Sequence, residues 1–356
     1  ADGVDAGSHE IINDLIQVDL GEKVVEIRKL PGGINSEACR ILTVNGNEYF
    51  GKKYFERKGD RRERLCTEFS GLSFLWENGV RNVPQPLIAH KYPPIAIYKF
   101  IKGSRLGPGE IDIVHVDQAA DFSGRLHFLR GADNAEAQPP ASEACFSIGA
   151  YIDCVDGRMD RLTHVACEDS LAGKLRSYLE NDLAPFWKTV RARVLAKAEH
   201  DGMNIHEDIA QDIRTFSVSD FGFHNVIIGE DGRMYFVDFE YFGWDDPVKM
   251  ISDFFLQPAL PLPFGLRERF FNSVRGNYEN DPGLERRLST IYPVLGVKWC
   301  LIMLNVFLGN GYGSAVDTER SEYLGRSMEK LKEVHAEVED GVFPIGIKNE
   351  TRQFGQ

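Results

Sequence analysis

Residues 217–247, SVSDFGFHNVIIGEDGRMYFVDFEYFGWDDP, set Asp220, His224, Asn225 and Asp238 around a short turn. Asp220 lies five residues before Asn225, and Asp238 thirteen after it. Asp231-Gly232 is a two-residue turn of the kind that needs positive φ. Counting outward from it sets Glu230 against Arg233, Gly229 against Met234 and Asn225 against Asp238. Opposed hairpin residues hold their Cβ atoms about 4.5–5.5 Å apart, so an amide oxygen and a carboxylate would stand side by side. Two hard oxygen donors suit Mg²⁺, which takes few protein ligands and leaves room for phosphate oxygens. Asp220, in the loop before the first strand, is placed to accept a proton from an incoming hydroxyl. The plainer alternative is that Asp220 caps a turn and the Asn225/Asp238 pair only closes a sheet.

The spacing D-x-x-x-x-N, followed thirteen residues later by Asp-Phe-Glu, resembles the catalytic and metal loops of the protein-kinase-like fold. The version here is most similar to the aminoglycoside phosphotransferase and choline kinase superfamily, which usually carries H-G-D-x-x-x-x-N. The resemblance implies Asp220 as catalytic base and Asn225 with Asp238 as Mg²⁺ ligands. One position departs from it: the superfamily's loop-bracing histidine is Val218 here. His224 is either a replacement brace or an ordinary loop residue.

Such a kinase needs a strand lysine for the α- and β-phosphates and a helix glutamate to orient it. Lys52 and Lys53 follow the Asn45-Gly46 hairpin signal, with Lys52 the better match and Lys53 the fallback; as solvent-facing lysines of an edge strand they would carry no function. Glu68 falls on the apolar stripe of Leu65, Phe69, Leu72, Leu75 and Trp76. A carboxylate aimed at a core needs a cationic partner, which Lys52 would supply. Gly32-Gly33, just ahead of the lysine hairpin, would let backbone N–H groups approach phosphate, or is only a turn. Phe100 and Ile101 lie where the superfamily's backbone reads adenine. For the acceptor, Trp244, Asp245 and Trp299 offer aromatic faces and a carboxylate, although Trp299 in an apolar helix also reads as core. The superfamily's D-P-x-x-D places Met250 where the second aspartate belongs, with Asp253 the nearest substitute.

Strand-like runs and one long helix over the first hundred residues give way to helical patterns at about 113–130, 145–165, 170–198, 265–280 and 284–308. The expected fold class is therefore α+β: a two-lobed, protein-kinase-like fold with a β-rich nucleotide-binding lobe at 1–103 and a helical lobe at 104–356. The second lobe would carry the catalytic loop and the acceptor site, and a cleft between lobes is where such a site forms.

Bulk properties narrow the partners. A net charge of −13 in 356 residues argues against nucleic acid, which selects for Lys and Arg clusters, and is compatible with a cationic acceptor. The longest apolar run, VLGVKWCLIMLNVFL (294–308), is interrupted by Lys298 and Asn305 and reads as a buried helix, so no membrane partner is expected. Six cysteines without CxxC spacing suggest reduced thiols of a cytoplasmic protein, and the start shows no leader pattern. The sequence is thus expected to encode a phosphotransferase that uses ATP (or GTP) and Mg²⁺ on a hydroxyl of an amino alcohol, aminoglycoside or sugar-like compound. A kinase-fold protein that binds nucleotide without turnover is the alternative, and Val218 is what favours it.

Overall fold

The alternation of apolar and polar residues around Asn45-Gly46 becomes a sheet of five antiparallel strands in the computed structural model, which describes residues 6–33, 35–56, 62–165, 169–308 and 316–339. Two compact units emerge, and neither is one continuous piece of chain. The first comprises Ala1–Leu106, Gly131–Pro139 and His224–Gly243; the second comprises Gly107–Arg130, Pro140–Phe223 and Trp244–Gln356. The hairpin after Asn225 thus groups with the N-terminal strands rather than with the helices that surround it in sequence.

In the first unit the strands β1 (Val24–Gly33), β2 (Ser36–Thr43), β3 (Glu48–Tyr54), β4 (Pro86–His90) and β5 (Ile95–Lys99) stack in the order β1-β2-β3-β5-β4. A helix that sequence patterning passes over, α1 (Ala6–Leu20), lays Ile12 and Ile16 on Cys39, Ile41, Tyr49, Ile88, Ile95 and Ile97. The expected helix α2 (Arg64–Glu77) packs against β4 and β5. Strand pleating sends alternate side chains to opposite faces. Lys52 therefore shares a face with Tyr54, whereas Lys53 reaches the Ser8 hydroxyl of α1, 2.9 Å away.

A second, three-stranded sheet of the same unit orders β6 (Gly103–Ser104), β8 (Val226–Gly229) and β9 (Met234–Phe236) as β6-β8-β9. At Gly103 a Cβ would stand 2.1 Å from the Ile228 carbonyl oxygen, so only glycine lets these two strands approach.

The second unit is helical. Its helices are α3 (Ile113–Phe128), α4 (Ile148–Thr163), α5 (Ser170–Tyr178), α6 (Ala184–His200), α7 (Pro247–Leu256), α8 (Phe264–Val274), α9 (Leu284–Met303) and α10 (Asp317–Glu339), with short strands β7 (Thr215–Ser217) and β10 (Gly243–Asp245) paired among them. The expected helical stretches all appear; α7 and α10 do not follow from periodicity. Every residue of α7 is buried, which erases the polar face that reveals an amphipathic helix. α10 inserts only a sparse row, including Leu324, Leu331 and Val334. The apolar helix α9 is the hub, packed by α4, α6, α7 and α10. With the turn after it, it is the one segment of the described residues long and apolar enough to cross a membrane, and it is mostly buried within the protein.

Candidate active site

Lys52 is the centre of a buried polar cluster in the first unit. Its Nζ donates to Glu68 Oε2 at 2.7 Å and to Asp238 Oδ1 at 2.8 Å, and lies 3.6 Å from Glu240 Oε2. Glu68 is fully engaged: Oε2 also accepts the Tyr54 hydroxyl at 2.7 Å, and Oε1 accepts the Phe239 backbone N–H at 3.1 Å. Glu240 accepts Asn35 Nδ2 at 2.5 Å and has Arg64 Nε 3.7 Å away. A buried carboxylate needs such partners to offset lost hydration. Burial works against the Lys52 ammonium, yet Asp238, Glu68 and Glu240 outweigh it and carry its pKa well above the ordinary lysine value. The side chains of Lys52, Glu68 and Glu240 are sealed, whereas that of Asp238 is 41% exposed.

Carboxylate oxygens of Glu68, Asp238 and Glu240 lie within 4.8 Å of one another, a set of hard donors with the spacing a divalent cation can use. Lys52 touches all three acids, and Asp238 is the one whose carboxylate also faces solvent, where a cation can reach it. Its backbone is left-handed, φ 68°, a conformation uncommon outside glycine that aspartate tolerates. Glu240, the third acid, is present in the sequence as the Glu of Asp-Phe-Glu but carries no signal there that it would approach Lys52.

The hairpin register differs from expectation by one residue. Val226 opposes Phe236 and Ile228 opposes Met234, so Asn225 faces Val237, whose N–H donates to the Asn225 carbonyl at 3.0 Å. The loop holds three residues, Glu230, Asp231 and Gly232. Gly232 at φ 76° donates to the Gly229 carbonyl at 2.9 Å, and Gly229 N–H to that of Arg233 at 2.9 Å. This is a turn closed by a glycine bulge. Asp231 favours it by accepting the Arg233 N–H and the Tyr235 hydroxyl, each at 3.1 Å. The expected cross-strand pairing of Asn225 with Asp238 is therefore absent. Asn225 ends a 3₁₀ turn (Phe223–Asn225), and Asp238 comes two residues after β9 ends.

Asp220 belongs to the second unit. Ser219 before it is left-handed at φ 64°, and the Asp220 N–H folds back onto the Val218 carbonyl at 2.8 Å. Val218 is 3% exposed, an apolar plug where the superfamily has histidine. Phe221 and Phe223, on the other side, insert into an aromatic cluster; Phe221 stacks on Phe254 at 4.7 Å between ring centroids.

The loop has an ionic brace that sequence reading missed. Lys249 Nζ donates to Ser219 Oγ at 3.1 Å and to Asp245 Oδ2 at 2.8 Å, with Asp253 Oδ2 3.2 Å away. Ser219 Oγ in turn donates to the Ser142 carbonyl at 3.1 Å. The visible signal was spacing: Lys249 is four residues from each aspartate, Asp253 one turn along α7 and Asp245 at the end of β10 just before that helix.

The remaining expected residues are dispersed. Gly32 and Gly33 end β1, with Gly33 opposite Ser36, and Ile34 of that turn lies outside the described residues. Phe100 donates its N–H to the Glu48 carbonyl at 3.3 Å and carries Arg40 over its ring at 5.1 Å, while Ile101 follows half-buried. Trp244 packs against Phe216 at 4.2 Å between centroids. Asp245 is 0% exposed and held by Lys249; its carboxyl pKa is nonetheless raised, because burial outweighs that cation. Trp299 is half-buried and donates Nε1–H to Asp253 at 2.9 Å.

With this geometry in hand, comparison with known proteins is informative. A family model described as "Phosphotransferase enzyme family" matches residues 26–249. No curated protein sequence matches significantly. Solved structures share the fold: a choline kinase from Streptococcus pneumoniae has 16% identity and a TM-score of 0.59 over 92% of this chain and 100% of its own. A spectinomycin phosphotransferase in complex with ADP and spectinomycin has 14% identity and a TM-score of 0.62 over 92% and 98%. An ethanolamine kinase from Plasmodium vivax has 15% identity and a TM-score of 0.57 over 92% and 84%.

Proposed function

We propose that this chain, which belongs to the phosphotransferase enzyme family and is a small-molecule kinase, moves the γ-phosphate of ATP or GTP to a hydroxyl of an amino alcohol, aminoglycoside or sugar-like acceptor. The observation that carries this reading is the Lys52 cluster: an ammonium kept charged by sealed carboxylates, with one carboxylate, Asp238, open to solvent. In this reading Lys52 binds the α- and β-phosphates and Glu68 orients it. Gly32 and Gly33 offer backbone N–H groups to phosphate, and the backbone at Phe100 and Ile101 meets the base. The first unit, which adds residues 131–139 and 224–243 to the N-terminal segment, is the nucleotide-binding lobe in this reading, and the second carries Asp220 and the acceptor site.

Asp238, with Asn225, would hold Mg²⁺, which when bound neutralises phosphate charge. Asp220 accepts the hydroxyl proton as the acceptor oxygen attacks phosphorus in line. Ser219, braced by Lys249, holds the Asp220 backbone in one conformation, so the loop needs no histidine at Val218. Positioning of this kind contributes by removing reorganisation from the barrier. Trp299, the least buried of the three acceptor candidates, is the one we place beside the acceptor. Asp245 stands behind it through Lys249 and Asp253, while Trp244 packs on Phe216 in the interior.

The test is nucleotide consumption by the purified chain against amino, neutral and acidic alcohols, sugars and aminoglycosides, with Asp220→Ala beside it. At least one acceptor should raise turnover well above that variant. Mg-ATP binding with no acceptor-dependent turnover above Asp220→Ala would refute the reading in favour of a nucleotide-binding protein.

A further inference from the structure

Two buried cations of the second unit converge on one carboxylate. Arg158 on α4 is 7% exposed and Lys298 on α9 is 4% exposed. Arg158 Nη2 donates to Glu143 Oε1, and Lys298 Nζ lies 3.4 Å from Glu143 Oε2. Among the described residues, Glu143 is the only carboxylate in a salt bridge with either. Asn305 Oδ1 lies 3.4 Å from Arg158 Nη1, and the buried Arg158 Nε has no hydrogen-bond partner. The guanidinium thus keeps part of its planar fork uncommitted, and that fork matches carboxylate and phosphate oxygens.

Glu143 is an unusual partner for an interior pair. Its side chain is 36% exposed, and its backbone is left-handed at φ 56°, a conformation that costs an ordinary side chain free energy. Burial is still the largest influence on its carboxyl, and Lys298 and Arg158 overcome it to hold the pKa far below the carboxylate range. Glu143 stands next to the Asp220 loop: Ser142, the residue before it, accepts a hydrogen bond from the hydroxyl of Ser219, the residue before Asp220.

We infer that Arg158 and Lys298 form an anion subsite for the acceptor, with Glu143 as a tethered carboxylate that the acceptor's own anion displaces. Of the acceptor classes proposed above, this favours a sugar-like alcohol that bears a carboxylate or a phosphate over the amino alcohols and aminoglycosides, and the assignment rests on the reading of Asp220 as the base. A cationic alcohol would meet two like charges there once Glu143 moved aside.

Binding and turnover test the two readings separately. Succinate and inorganic phosphate are titrated calorimetrically into the full chain saturated with Mg²⁺ and a non-hydrolysable ATP analogue, which blocks the nucleotide site; the two probes distinguish carboxylate from phosphate. At least one should bind, about tenfold more tightly to Glu143→Gln and about tenfold or more weakly to Lys298→Met and Arg158→Leu. Should Arg158→Leu fail to fold, Lys298→Met and Glu143→Gln decide. Failure of both anions to bind Glu143→Gln, or affinity unchanged in Lys298→Met, overturns the subsite. Turnover is then measured with acidic alcohols against neutral and amino alcohols of the same length. A preference for the acidic series that Lys298→Met removes through KM, with kcat retained, supports the subsite, whereas faster turnover of the amino alcohols sinks it. Anion binding with the expected mutational pattern, but without phosphorylation of any alcohol, leaves the subsite standing and counts against the phosphotransfer reading alone.

Discussion

Each unit holds a buried lysine that gathers two or more carboxylates, Lys52 in the first and Lys249 in the second, and the two clusters meet water differently. Around Lys249 everything is sealed: the side chains of Lys249, Asp245 and Asp253 are each at most 4% exposed. Around Lys52 the side chains of Glu68 and Glu240 are equally sealed, but Asp238 is 41% exposed. In both, burial opposes the ammonium and neighbouring carboxylates outweigh it. The chemistry is the same; access is not. A closed triad can only hold its surroundings in place, here the Ser219 backbone. A triad with one open carboxylate can exchange partners when phosphate oxygens and a cation arrive.

The largest expected effect comes from removing the sealed cation. Lys249→Met leaves two buried aspartates without their cation, Asp253 keeping only the Trp299 indole and Asp245 only the Asp246 N–H among the described residues, and should cost about 3–5 kcal/mol in urea unfolding. A loss under about 1 kcal/mol would show that the triad is not what holds Ser219. Lys52→Met should reverse the pattern. Glu68 keeps Tyr54 and Phe239, and Glu240 keeps Asn35, so stability falls less than in Lys249→Met. Its kcat/KM should drop on the order of 10²–10³-fold. Equal stability losses in the two variants would erase the distinction.

Asp238→Asn and Asp253→Asn sharpen it further. Mg²⁺-dependent nucleotide affinity, measured by fluorescence titration, should weaken at least about tenfold in the first and stay within about twofold in the second. Matching losses would mean that exposure does not separate the two acids. The smallest effect is expected at Lys53, which points to α1. Lys53→Ala should change stability by no more than about 0.5 kcal/mol and leave kcat/KM intact. A loss of activity like that of Lys52→Met would assign the phosphate role to the wrong neighbour.

Much of the site was legible because the relevant signals are local. Helical periodicity put Glu68 on a buried stripe, and the resemblance favoured Lys52 over Lys53 before any contact was known. The D-x-x-x-x-N and Asp-Phe-Glu spacing marked Asp220, Asn225 and Asp238. The hairpin register was not legible. Asp-Gly is compatible with a two-residue turn and with a three-residue loop closed by a glycine bulge, and the choice displaced Asn225 from Asp238 by one position. Helix α7 escaped because burial on all sides removes the polar face that periodicity detects.

The sequence by itself determined which residue types stand at which spacing, and with them the two-part α+β organisation and the family. Only the tertiary structure decided which charges are sealed and which open. Lys52 and Asp238 are 186 residues apart in the chain, and Lys249 and Ser219 are 30 apart. Whether a charge is stable in the interior depends on partners brought from that distance, and desolvation is a property of the packed surroundings rather than of any short stretch of chain.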